Sequence, residues 1–374
     1  MIIGIDVSRI NKKQKTGVEW YLFRLIQEMK KIPFNRDTEF VLYSPIDFKG
    51  DLANLPGNWR LKRLSWPLKY AWTQIRLCLE IFINRPNILF IPAHILPFFC
   101  PVKSVLVIHD LGFERFPEYY SFWQRIYYSW THRYSFKKAA KIIVPSEFTK
   151  KEIIELYRVT EDKIEVIPEG YDRETFYLVD DKAKIASIRV KYGIKGSYFL
   201  YVGRLEKKKN VKGLIDAYKE FCAANIGLKN IPRLVLAGKK SFGGREIETA
   251  ISGFESNILY LGYVHDKDLV YLYNGAEAFI FPSFYEGFGL PLIEAMACGC
   301  PVLTSNGASL PEVGGNAVVY FSPNNIKDMA RVMEEFLKNE ELKKEMVKMG
   351  LNRVAENFSW RQCAEKIIEV LANL

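Results

Sequence analysis

Two glutamates eight residues apart, Glu286 and Glu294, bracket a loop-like run that reads Phe284-Tyr-Glu-Gly-Phe-Gly-Leu-Pro-Leu-Ile-Glu. A carboxylate accepts two hydroxyl hydrogen bonds at once, which is what a sugar ring or a ribose diol presents. Gly287 and Gly289 allow a tight backbone, and Pro291 suits the first turn of a helix. The amides of Phe288, Gly289 and Leu290 then have no intrahelical acceptor and offer a phosphate-sized anion site. Taken singly, Glu294 would be a first-turn acid favoured by the helix dipole and Glu286 a solvated loop charge. Together with the glycines and the proline, they point to a phosphorylated ligand rich in hydroxyls.

A basic loop follows the strand-like run ending at Gly203. It holds Arg204 and Lys209, followed by Asn210. A guanidinium fork and a compact ammonium are the two usual side chains for holding a diphosphate. Lys207 and Lys208 read as solvated charges. The run Val105-Leu-Val-Ile leads straight into His109 and Asp110, placing the imidazole at the carboxyl end of a strand, where open parallel sheets bind ligands. His132 and His265 read as structural. Gly17 lies in a loop after the first strand that opens a helix, and one glycine there argues against a dinucleotide fingerprint. Asp266 and Asp268 have a spacing that can hold a metal with a nucleotide, but their place at a helix start favours capping. Six cysteines without a C-x-x-C pair suggest neither zinc nor disulfides, so no metal site is expected, and a reducing cytoplasm fits.

These groups need strands to carry them. Short Val/Ile/Leu/Phe runs at 2–7, 39–43, 88–91, 105–108, 142–144 and 164–167 alternate with helical stretches, and a second series starts at 198. That is the pattern of parallel α/β sheets buried on both faces. The reading is two doubly wound Rossmann-like domains facing a central cleft, residues 1–172 and 173–359, with the linker near 168–185. The length of 374 residues, 49% of them hydrophobic, suits two cores and excludes disorder and coiled coil. No signal peptide is visible. The longest uncharged run, 86–102, carries four prolines, so no spanning helix is expected. The net charge of +10 favours an anionic partner. The stretch Arg60–Arg85 reads as a basic amphipathic segment with Trp72, Ile75, Leu79, Phe82 and Ile83 on one helical face. Residues 113–136 are crowded with aromatics. A core-facing helix is the plainer reading of both; a docking face for an anionic membrane is the sharper one.

The run Glu286-Gly-Phe-Gly-Leu-Pro-Leu-Ile-Glu294 resembles the E-x7-E motif of the retaining glycosyltransferases of family 4, which have the GT-B fold. Gly203-Arg204, Lys209-Asn210, His109-Asp110, Pro168-Glu-Gly-Tyr-Asp172 and Phe358-Ser-Trp360 follow in family order. The resemblance implies that Arg204 and Lys209 hold the donor diphosphate and Glu294 the ribose. It places Glu286 and the backbone of 287–290 at the transferred sugar, His109 beside the reacting bond, and Gly17 near the donor phosphates. It also implies no cofactor, no metal requirement, and a last helix (360–374) that packs back on the first domain. The expected donor is a GDP- or UDP-sugar, with mannose or glucose transferred. The expected acceptor is a glycan or lipid-linked saccharide of a bacterial surface polysaccharide, handled at the inner face of the plasma membrane without nucleic acid. Competing readings are a GT-B-like sugar-nucleotide epimerase, a glycoside hydrolase, and a non-catalytic sugar-nucleotide-binding protein. Two departures from the family pattern stand out: Glu169 replaces the usual Asn, and the first loop has one glycine instead of two.

Overall fold

The computed structural model describes residues 1–10, 17–34, 37–48, 50–68, 71–93, 95–227, 230–240 and 244–374. Runs such as Ile88–Ile91 and Tyr198–Tyr201 are buried throughout. Each strand of this kind must be covered on both faces, which an all-parallel sheet with flanking helices achieves.

The first sheet and its helices comprise β1 (Ile2–Asp6), α1 (Gly17–Met29), β2 (Glu39–Ser44), β3 (Trp59–Arg63), α2 (Cys78–Ile83), β4 (Ile88–Ile91), β5 (Lys103–Val107), α3 (Gly112–Arg115), α4 (Phe122–Lys138), β6 (Lys141–Val144), α5 (Glu147–Tyr157) and β7 (Ile164–Val166). Its seven parallel strands run β3-β2-β1-β4-β5-β6-β7. The second comprises α6 (Lys182–Lys191), β8 (Tyr198–Val202), α7 (Val211–Ala224), β9 (Arg233–Ala237), α8 (Gly244–Ile251), β10 (Ile258–Gly262), α9 (Asp266–Asn274), β11 (Ala278–Phe281), α10 (Leu290–Ala297), β12 (Val302–Ser305), α11 (Leu310–Gly314), β13 (Val319–Phe321), α12 (Ile326–Leu337) and α13 (Glu340–Asn357). Its strand order is β10-β9-β8-β11-β12-β13, again all parallel. In both sheets the order reverses once, between β1 and β4 and between β8 and β11. In doubly wound sheets such switch points open the ligand crevice.

The chain divides into two compact units, residues 1–170 with 360–374 and residues 171–359. The terminal helix α14 (Trp360–Ala372) therefore belongs to unit 1. It packs along α1, with the Trp360 ring 5.5 Å from that of Tyr21.

Four sequence expectations need correction. Residues 59–63, at the start of the stretch read as one basic amphipathic segment, form an edge strand, and the helical part begins at Trp72. Trp59 stacks on Phe40 at 4.4 Å, while Arg63 reaches Asp47 at 2.8 Å and Arg60 pairs with Glu39 at the surface. The segment Trp72–Leu77 is a π-helical stretch leading into α2. Its apolar positions divide: Leu77, Cys78 and Ile81 are buried, whereas Ile75, Leu79, Phe82 and Ile83 are exposed. The helix α6 begins inside the stretch read as linker near 168–185, capped by Asp181, whose Oδ1 accepts the Lys184 amide at 2.8 Å. Asp268 does not cap α9. Its buried carboxylate accepts from Lys191 Nζ at 2.5 Å and Tyr192 OH at 2.8 Å, tying α6 to α9, and those partners hold its pKa below the ordinary value against the opposing effect of burial.

Candidate active site

In unit 2 the groups singled out by sequence follow β8 and β11, neighbours across the switch point (Phe279 pairs with Leu200). Past β8 the backbone turns at Gly203, whose φ of 153° suits glycine. Gly238, after β9, lies so close that a Cβ there would come within 1.8 Å of the Gly203 carbonyl oxygen. Two glycines thus let the loop leave the sheet tightly. Arg204 follows with its side chain 57% exposed, 3.5 Å from Glu206. A short turn, 207–209, then presents Lys209, and Asn210, in the left-handed conformation with φ 53°, opens α7.

The loop after β11 crosses to meet it. The Phe284 amide donates to the Lys208 carbonyl at 3.0 Å. Lys209 Nζ sits 2.5 and 2.6 Å from the two carboxylate oxygens of Glu286, both side chains being largely buried, and the ammonium lies 5.6 Å from the centre of the Phe281 ring. Charge-assisted contacts of this geometry are strong and directional. Gly289, at φ 116°, starts α10. The amides of Phe288, Gly289 and Leu290 find no acceptor among the described residues, so they remain available to an anion. Glu294 stands one turn into α10 and makes no ion pair with Arg204 or Lys209. Burial, reinforced by Asp266 and Asp172, pushes its pKa up to about 8, with the buried Tyr273 hydroxyl beside it.

His109 lies in unit 1, past β5. Its Nδ1 is 3.1 Å from Glu169 Oε1, its Nε2 is 3.2 Å from the Pro92 carbonyl oxygen, and Tyr21 meets the ring edge-on at 4.5 Å. Glu169, the residue that departs from the family pattern, is thus the histidine's partner. Asp110 turns back and accepts the Gly112 amide at 2.9 Å. Gly17 begins α1, exposed, in space where a Cβ would meet nothing within 4 Å. Lys15 and Thr16, read as part of that loop, lie outside the described residues.

Sequence reasoning missed the groups that hold the second loop in place. The buried Ser309 hydroxyl lies 2.9 Å from both the Glu286 and the Phe288 carbonyl oxygens. Ser305 Oγ donates to the Ser283 carbonyl at 2.6 Å, and Thr304 Oγ1 to that of Phe281 at 3.0 Å. The available signal was a cluster of small hydroxyl residues closing β12, Thr304-Ser305 and Ser309, beside a loop dense in glycine.

Comparison with known proteins bears on the whole chain. Residues 15–175 match the family model described as Glycosyltransferase Family 4, and residues 184–353 match Glycosyl transferases group 1. The chain is 31% identical over 309 residues to the O-antigen chain mannosyltransferase B of Escherichia coli, covering 82% of this chain and 77% of that protein. It is 33% identical over 291 residues to the serotype-specific mannosyltransferase WbdA of Escherichia coli, covering 73% of this chain but 34% of that protein. The structure of Anabaena Alr3699/HepE in complex with UDP-glucose matches all of both chains with a TM-score of 0.77 at 16% identity.

Proposed function

The chain belongs to the family 4 glycosyltransferases of GT-B fold, and from that membership we propose that it moves a hexose, mannose first, from a nucleoside-diphosphate sugar to a bacterial surface glycan or its lipid-linked precursor. Two mannosyltransferase relatives, one of them an O-antigen enzyme, support the sugar and the acceptor class. The UDP-glucose bound to HepE supports the donor class. GDP-mannose is the donor we favour.

The observation that carries the reading is the convergence after β8 and β11 of an exposed guanidinium, an ammonium already engaged by a carboxylate, and three unpaired amides. Departure of a nucleoside diphosphate builds negative charge on the leaving oxygens. Fixed donors aimed at that charge lower the barrier without rearranging. Arg204 and the amides of 288–290 are assigned to the diphosphate. Lys209 would turn from one Glu286 oxygen toward it, and the freed oxygen would accept a sugar hydroxyl. Glu294 is assigned to the ribose, and His109, held by Glu169, to the transferred sugar. Unit 2 thus takes the donor, and unit 1 is assigned the acceptor. The anomeric C–O bond to phosphate breaks, the acceptor oxygen bonds to the same face, and its proton passes to the departing phosphate, so configuration is retained. No metal is needed in this scheme, because protein cations and amides carry the leaving charge.

Calorimetric titration with GDP-mannose and UDP-glucose, followed by product analysis, tests the reading. Arg204→Ala and Glu294→Ala should each lower donor affinity or turnover by about 10²-fold, the scale seen when one preorganised charge-stabilising contact is lost. Near wild-type values in both would refute it.

A further inference from the structure

We infer that α4, the 72–83 helical segment and the turn 96–99 together form a face that docks on an anionic lipid bilayer. The inference goes beyond the donor reading and rests on surface groups that the chemistry above does not use. On α4, Thr131, His132, Ser135 and Phe136 face the core, while Trp123, Ile126, Tyr127 and Trp130 form an outward stripe with helical spacing. Trp123 is 77% and Trp130 54% exposed. Monomeric proteins seldom leave so much contiguous aromatic surface in water without an occupant for it.

The three elements are joined. The Phe98 ring meets Trp130 at 4.7 Å, the Phe98 amide donates to Gln74 Oε1 at 2.9 Å, and Gln74 Nε2 donates to the Leu96 carbonyl at 3.1 Å. Phe99, 74% exposed, carries the surface on toward Leu79, Phe82 and Ile83. The plainer reading from sequence, a core-facing helix, therefore fails for these side chains.

Charge selects the occupant. Helix α4 contains Arg125, Arg133, Lys137 and Lys138 and no acid. The 72–83 segment and its continuation to Arg85 contain one acid, Glu80, which is buried and paired with Lys62 and Arg76. Arg85 lies over the Phe82 ring at 5.5 Å, its charge beside an apolar surface. A second copy of this face would set cations against cations across a two-fold axis. An anionic headgroup layer complements it, and Trp, Tyr, Arg and Lys are the residues that settle at such interfaces. A cavity of about 240 Å³ opens beside Phe122, lined by Phe113, Pro117 and Ile126 together with Arg125 and Glu114, the latter accepting from Tyr157 OH, and has room for the end of an acyl chain. Among the described residues no helix is long and apolar enough to cross a membrane, so the face would lie on the bilayer surface.

Flotation of the full chain with vesicles tests this. Binding is expected to phosphatidylglycerol-containing vesicles and not to pure phosphatidylcholine, falling at least about tenfold when ionic strength rises several-fold, as screening requires. Trp123→Ser combined with Trp130→Ser should lower vesicle affinity at least about tenfold while donor affinity stays at the wild-type value. Should that variant lose its melting transition, Phe82→Ser with Ile83→Ser reads the same face from the other element. No flotation at low salt would overturn the proposal, as would variants that float like wild type. So would a dimer, seen by sedimentation, that dissolves in the Trp variant. Failure of donor binding in the unaltered chain would refute the donor reading and leave these outcomes intact.

Discussion

Glu294 shows how a single side chain reports its surroundings. Its carboxyl, ordinarily near pH 4.5, is raised to about 8 by burial first and then by Asp266 and Asp172. Between those two values the folded chain holds a proton that the unfolded chain has released. The contribution is therefore fully present below 4.5 and is lost as pH rises through 8. Glu294→Gln, which has no proton to lose, should gain melting temperature relative to wild type from pH 5 to 8 and level off above. A difference that stays constant across that range would show an ionised Glu294. Glu286, Arg204 and Lys209 stood out as candidates because each is unusual beside glycine at a strand end, and the structure brings Lys209 and Glu286 together. The direct Lys209–Glu286 pair was not legible, since nothing along one chain tells which loop crosses to which. Nor was the Glu169–His109 contact, which spans sixty residues and reads in sequence only as a departure from a pattern.

The loop after β11 depends on β12 and the turn that follows it. The single hydroxyl proton of buried Ser309 is shared between two carbonyl oxygens, those of Glu286 and Phe288, each 2.9 Å away. Ser309→Ala should cost about 1–3 kcal/mol in denaturant unfolding, the scale of buried acceptors left unpaired. It should also weaken donor binding more than Ser252→Ala, which lies on the surface of the same unit. Equal binding in the two would separate the latch from the site. Strands such as β4 and β8 were readable because burial on both faces selects runs of Ile, Leu, Phe, Tyr and Val. The edge strand β3, WRLKR, was hidden by the charges that protect an open edge. Apolar periodicity located the 72–83 face, and aromatic content the α4 segment, but neither could say what these side chains meet, since a helix against a core and one against lipid show the same period.

At the scale of the molecule, two parallel sheets of strand order typical of doubly wound folds follow from alternation alone, which is why the architecture was the most legible feature. The return of the chain to unit 1 at Trp360 was implied by resemblance and not by pattern. Trp360 backs Tyr21, which in turn backs His109. Truncation after Ser359 should therefore remove the melting transition of unit 1, lost packing of one buried Trp alone costing about 3–5 kcal/mol, while unit 2 keeps its own. Two transitions unchanged in calorimetry would contradict this.

Because unit 2 is an insertion within unit 1, the order of synthesis differs from the order of completion. A ribosome delivers β1 to β7 first, then the whole of the inserted unit, and only then the helix that seals the earlier layer. The first-made half must wait, unsealed along α1, until α14 has been made, so nascent chains stalled before Trp360 would expose Tyr21 to chaperones while the inserted unit is already complete.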